Sequence, residues 1–315
     1  MYNFNVSSLA MADDTENSTA YFPISTVANM TGVNPVTLRA WERRYGLIKP
    51  IRTGKGHRLY SEKDIERIRE VLRLVEEGIP ISQVPLALEA GTHRPEDLDA
   101  VAGGWADYQQ RMVAAIEGFD EAGLEAVYNE ALSLYPVEIV TRRLLVPLLK
   151  ELGERWENAT GSVAEEHFFG VYMRNKLGAR FHHRQGNPRG PKLLAACLPG
   201  ELHEIGILLF ALAAHDRGFR IVLLGADMPL EELPLVVRRA KCDAIVLSGA
   251  IKPVENVLKK QLPELVKSSR VPVFIGGITS NLYANEIAAA GARPVGDDLV
   301  LGLRDIDSAL THLNN

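Results

Sequence analysis

Cysteine is nearly absent: the 315 residues carry two, Cys197 and Cys242, both in or beside apolar segments. That excludes a disulfide framework and cysteine-based zinc spacing, and suits two small core residues in a reducing compartment. No apolar run approaches the about 20 residues that a membrane span needs. The first residues lack the basic start and apolar core of a secretory signal; their Ser, Asn and Asp content suits a disordered leader over 1–20. A cytoplasmic protein is expected. No P-loop and no set of nucleophile, base and orienting residue occurs, so enzyme chemistry is not expected. What remains is globular, 46% hydrophobic and 24% charged, and long enough for two or three domains. The net charge of −5 says nothing about nucleic acid until it is resolved along the chain.

Resolved in that way, it becomes informative near the amino terminus. Arg43, Arg44, Lys49, Arg52, Lys55 and Arg58 occur with no acid between Arg43 and Tyr60. Ile24, Val27 and Ala28 predict a short helix ending near Gly32, and Pro35 opens a second helix running through Tyr45. Two short helices around a glycine-containing turn make a helix-turn-helix. Its second helix presents Thr37, Arg39, Arg43 and Arg44 on the outer face, with Leu38 and Trp41 packed inward. Thr53 to Tyr60, with Gly54 and Gly56, reads as a hairpin wing. Ser61 then caps a helix with Ile65, Ile68, Val71, Leu72 and Val75 at helical spacing.

Residues 95–185 show helical rather than strand spacing, as in Val113, Ile116 and Phe119, then Leu124, Val127, Ala131 and Leu134. They predict a four-helix bundle. Beyond it, the runs KLLAACL, RIVLLGA, AIVLSGA and VPVFIGG and a short strand near Arg293 to Val295 alternate with helices. Five parallel strands with crossover helices make a flavodoxin-like, Rossmann-type doubly wound sheet, whose ligands sit at the carboxyl ends of the strands. Glu201-x-His203-x-x-Gly206 falls at such an end. There an imidazole can hold a metal through one nitrogen while a carboxylate fixes the tautomer through the other. Gly206 lets a large planar ligand approach the backbone. Ser248-Gly249-Ala250 and Gly276-Gly277 end two further strands.

These three elements resemble the cobalamin-binding domain of methionine synthase, the mutases and some regulators, whose pattern is Asp-x-His-x-x-Gly, Ser-x-Leu and Gly-Gly. Glu201 stands here for the Asp and Ala250 for the Leu. The resemblance implies that His203 is the lower ligand to cobalt, and that Ser248, Gly276 and Gly277 line the slot for the displaced dimethylbenzimidazole tail. It also places a corrin side-chain contact near Asp227-Met228-Pro229. The stretch TLRAWERRYGLIKPIRTGKGHRLYSEKDIERI looks like the winged helix of MerR-type regulators, over about 21–91, and implies backbone contacts to double-stranded operator DNA from Arg43, Arg58 and Tyr60.

With both modules present, Trp156 followed after nine residues by Glu166-His167 is similar to the cap of the CarH/LitR photoreceptor repressors, in which these residues pack around the adenosyl group. The resemblance implies an adenosylcobalamin-dependent, light-responsive repressor. It would bind DNA as a homo-oligomer, a dimer or tetramer, in the dark, and release it when light cleaves the cobalt–carbon bond. Several family members carry His directly after the Trp, as the upper cobalt ligand after illumination. Here that residue is Glu157, which leaves His167, His182 and His183, a carboxylate or water for that place. Two other readings stay open: a MerR-type regulator sensing cobalamin or a protein partner without light, and a corrinoid carrier of a methyltransferase or mutase. The expected layout is a leader over 1–20, the winged helix over 21–91, the bundle as cobalamin cap over 95–185 and the cobalamin-binding α/β domain over 190–315.

Overall fold

The computed structural model describes residues 20–90, 103–157, 161–183, 188–254 and 256–313, so the expected leader lies outside the described residues up to residue 19. The chain forms two compact units. One is made of the chain up to Ala114 with Ala122–Leu148, the other of Ala115–Glu121 with the chain from Leu149 onward.

In the first unit, helix α1 (Ile24–Thr31) stops where Gly32 turns left-handed at φ 72° and returns its N–H to the Ala28 carbonyl. Helix α2 (Pro35–Ala40) begins under an Asn34 cap whose side chain accepts from the Thr37 N–H at 2.8 Å, and it continues through a wider π turn, Trp41–Tyr45. Strands β1 (Tyr21–Pro23), β2 (Ile51–Arg52) and β3 (Arg58–Ser61) pair antiparallel in the order β1-β3-β2, with β2 and β3 forming the expected wing. Ser61 and Asp64 close a complete capping box on α3 (Glu62–Glu76). Leu74, rather than Leu72, completes the buried stripe of α3.

Helix α4 (Val84–Ala90), most of α5 (Gly103–Glu117) and of α6 (Glu121–Leu134), and the short α7 (Val137–Val140) belong to the same unit. Two bonds fasten the end of α6 to the winged helix. The Trp41 indole N–H donates to the Leu134 carbonyl at 2.8 Å, and the Ile81 N–H donates to the Tyr135 hydroxyl at 3.2 Å. By their contacts, α8 (Val146–Glu157) from Leu149 on and α9 (Val163–His182) belong to the second unit. Phe119, expected in a bundle core, is 51% exposed. The chain leaves α5 there with φ 50°, so its ring turns out of the helical stripe and meets Phe168 edge-on at 5.5 Å.

The second unit holds five parallel strands in the order β5-β4-β6-β7-β8: β4 (Lys192–Cys197), β5 (Arg220–Gly225), β6 (Ala244–Ser248), β7 (Val273–Gly276) and β8 (Arg293–Pro294). This is the doubly wound sheet expected. Leu194, Ala196, Ile245, Leu247 and Ile275 pack one face against α11 (Leu233–Ala240), α12 (Leu262–Ser269) and, after the short α13 (Ile278–Leu282), α14 (Ala284–Ala289). Leu193, Ala195, Val246 and Phe274 pack the other against α10 (Ile205–Asp216) and α15 (Leu299–Leu313). Cys242 and Cys197 belong to these two cores as small packing residues. Helix α15 adds to the elements expected from the sequence: Leu303, Ile306 and Leu310 carry its buried stripe, and Asp298 accepts from the Val300 and Leu301 N–H groups at its start. Because β4 is flanked by β5 and β6, the strand order reverses beside it, and a crevice opens at the carboxyl ends of such strands. Among the described residues no helix is long and apolar enough to cross a membrane.

Candidate cofactor site and DNA-facing surface

Cys197 at the end of β4 pairs in register with Ser248, and Ser248 with Gly276, so three neighbouring strand ends stand in one row. The Glu201 to Gly206 segment follows the first, Ser248-Gly249-Ala250 the second and Gly276-Gly277 the third. Segments about 40 and 25 residues apart in the chain thus meet. A Cβ added to Gly206 would lie 3.4 Å from Ser248 Oγ.

Glu201 is 1% exposed, and both its oxygens are used. Oε1 accepts from the His203 N–H at 2.9 Å and from His203 Nδ1 at 2.5 Å; Oε2 accepts from the Ala250 and Ile251 N–H groups at 2.6 and 3.1 Å. Burial pushes this carboxyl up, but the His203 and Ala250 hydrogen bonds outweigh it and hold the group below the usual carboxylate range. Glu201 therefore joins the β4 and β6 loops and fixes Nδ1 of His203 as a donor. The other ring nitrogen, Nε2, lies 2.7 Å from Glu166 Oε1 on α9. The bond to Glu201, opposed by burial and helped by Glu166, raises the His203 pKa to about 9. Without another ligand, the imidazole is a cation held between two carboxylates.

The neighbouring loops are braced by residues that sequence reading did not single out. Glu204 Oε1 accepts from the Ala226 N–H at 3.1 Å, and its other oxygen lies 3.8 Å from Arg174 Nε of α9. The Thr279 hydroxyl, 1% exposed, donates to the Ile251 carbonyl at 2.8 Å, and the equally buried Ser280 accepts from the Gly296 N–H at 2.9 Å. Their signal is a pair of small hydroxyl residues one position after Gly276-Gly277. Asp227 closes the β4 loop by accepting from the Gly200 N–H at 2.7 Å. Cys197 beside this site has its thiol pushed up to about 12 by burial and then by Glu201 and Glu204, which makes it inert. Of the expected cap, Glu166 reaches His203, His167 is exposed on α9, and Trp156 and Glu157 end α8 with side chains outside the described ones.

On the winged helix, Arg39, Arg43 and Arg44 are exposed as expected. Thr37 is not on the outer face: it is fully buried, because it lies four residues before Trp41 and shares its inward phase. Tyr60 is also fully buried, opposite Phe22 on the inner side of β3, so it is a core residue rather than an exposed phosphate contact. Arg58 is 18% exposed and paired with Glu42, which also accepts from Arg52 Nη2 at 3.0 Å. Glu42 immediately precedes the basic run, which is why the count of cations overlooked it.

Comparison with known proteins assigns each part. Residues 22–90 match the family of MerR HTH regulatory proteins, and residues 108–180 and 191–305 match two B12 binding domain families. The HTH-type transcriptional repressor CarH of Myxococcus xanthus is 32% identical over 282 residues, covering 83% of this chain and 90% of that protein. The repressor CarA of the same organism is 32% identical, with 86% and 91% covered. The solved monomethylamine corrinoid protein of Methanosarcina barkeri shares the fold at TM-score 0.51 and 20% identity, over 64% of this chain and 95% of that one. CarH and CarA are repressors rather than enzymes, and the chain is a cobalamin-binding transcriptional regulator. It belongs to the CarH and CarA family of MerR-type transcriptional repressors with cobalamin-binding domains.

Proposed function

We propose that this regulator binds adenosylcobalamin through His203, holds operator DNA as an oligomer in the dark and releases it in light. The observation that carries the reading is the His203 imidazole at the reversal point of the sheet, with Nδ1 clamped by the buried Glu201. A carboxylate on the second nitrogen is the usual support of a metal-bound histidine. The donor set therefore fits cobalt, and the Gly206, Ser248, Gly276 and Gly277 row fits a ligand brought close to backbone. When bound, adenosylcobalamin supplies a cobalt–carbon bond that light breaks.

In this reading Glu201 orients His203, and Glu166 gives up its hold on Nε2, since one nitrogen cannot serve both. Glu166, Trp156 and His167 are the residues that would hold the adenosyl group, as the family resemblance implies. Several winged helices in one oligomer grip DNA far more tightly than one, so loss of the oligomer releases DNA without altering any single contact. Reconstitution with adenosylcobalamin in the dark, followed by green light, is expected to change both particle size and DNA affinity. Unchanged size and affinity would reject the light response.

Cobalt competes with a proton for Nε2, so cobalamin affinity is expected to rise by about tenfold per pH unit from pH 7 to about 9 and to level off above. The ligand-free protein has the opposite sign. A folded-state pKa raised from 6.5 to about 9 stabilises fully below 6.5, and that stability is lost as pH climbs through 9. Titrations at several pH values check both; a flat affinity profile counts against His203 as the ligand.

Glu157, in place of the histidine that follows the tryptophan in several family members, favours a second reading in which cobalamin is sensed without light. Equal DNA binding with methylcobalamin and adenosylcobalamin, in dark and light alike, would support it.

A further inference from the structure

The basic surface of the winged helix contains an acid where phosphate would discourage one. Glu42, in the turn that continues α2, is 16% exposed and bonds to both Arg52 and Arg58. Those two arginines are direct cross-strand partners in the wing. Like charges facing each other across an antiparallel pair repel. One carboxylate reaching both removes that repulsion and ties the hairpin to the recognition helix. Glu42 is held below the usual carboxylate range, as Arg58 and Arg52 outweigh the effect of burial. The far end of the wing is closed by its own backbone and Thr53, through Thr53 N–H to the His57 carbonyl at 2.9 Å and His57 N–H to Thr53 Oγ1 at 3.1 Å.

We propose that Glu42 is a positioning residue: a strut that sets the wing on the recognition helix and orders Arg52 and Arg58 for the DNA backbone, so that removing this negative charge weakens DNA binding. The inference rests on the winged helix being the DNA-facing surface. Simple electrostatics predicts the reverse, since deleting an acid from a phosphate-facing surface tightens binding and steepens its salt dependence. Without the strut, the two arginines repel and the wing must be ordered at the moment of binding, which costs affinity.

The test uses the full-length chain and a duplex selected from a random pool by the wild-type protein, with Glu42→Gln and Arg43→Ala measured over a range of salt. Glu42→Gln is expected to weaken binding by about tenfold and to lower the salt slope by roughly one to two phosphate contacts. Its thermal midpoint should stay close to wild type, and hydroxyl-radical protection should be lost under the wing but kept under the recognition helix. Equal or tighter binding in Glu42→Gln, with Arg43→Ala weakened, overturns the strut and leaves the winged-helix surface standing. Wild-type binding in both variants overturns the surface, and the strut with it. Should Glu42→Gln fail to fold, Glu42→Asp replaces it, being charged but one methylene too short to reach both arginines; wild-type affinity in that variant overturns the proposal.

Discussion

His203→Ala is expected to lower cobalamin affinity by about 100-fold or more, with any residual bound cofactor lacking the absorption signature of an imidazole ligand. The loss is one of ligation rather than of fold. Glu201 would lose one of its four hydrogen bonds, that to Nδ1, but would keep the backbone N–H groups of residue 203, Ala250 and Ile251. The two loops therefore stay joined, and the circular dichroism of the ligand-free variant should match wild type. Glu166 would lose its bond to Nε2, so α9 would also be freed from one contact to the α10 loop. Wild-type affinity in the variant, measured by titration with adenosylcobalamin in the dark, would remove His203 from the cobalt site while leaving the sheet assignment untouched.

The second large effect concerns Gly277. Its φ of 86° and ψ of −174° fall in a region that essentially only glycine occupies, and an added Cβ would stand 2.4 Å from the carbonyl oxygen of Gly249. That oxygen belongs to backbone and already accepts from the Thr279 N–H at 3.0 Å, so no side-chain rotation relieves the clash. The turn from Gly249 to Ile251 must shift, and this turn carries the two N–H groups that hold Glu201 Oε2. Gly277→Ala is expected to destabilise the second unit by about 3 kcal/mol or more, read as a lower denaturation midpoint. Where the protein remains folded, it should also bind cobalamin more weakly, because the His203 clamp loses its anchor. A variant with wild-type stability would mean that the β6 and β7 loops do not support each other as described.

Elements were readable in the sequence where their cause is local. Gly32, Pro35 and Ser61 act within two to four residues of the chain, so the winged helix could be placed before any partner was known. The apolar runs of β4 to β7 are equally self-evident, because strands covered on both faces read as continuous hydrophobic stretches. For the helices of 95–185, spacing gives the elements but not their partners. An amphipathic stripe says that a helix is buried, not against what, and Trp41 with Tyr135 draws the end of α6 to the winged helix. Thr37 and Tyr60 show the same limit on a smaller scale: a polar residue in a DNA-binding motif looks like a contact until the phase of its element is known.

The amino-acid sequence alone determined the helix-turn-helix and wing, the order of the parallel strands along the chain, the strand-end location of Glu201, His203, Ser248 and Gly276-Gly277, and the family. Each depends on residue chemistry within one turn or one strand end. Only the tertiary structure decided that Glu201 spans two loops, that Glu166 of α9 meets Nε2 of His203, and that Glu42 bridges the facing arginines of the wing. Those pairings join groups 10 to 50 residues apart. A charge carries no mark of its partner until packing brings the two surfaces together and removes the water that would otherwise separate them.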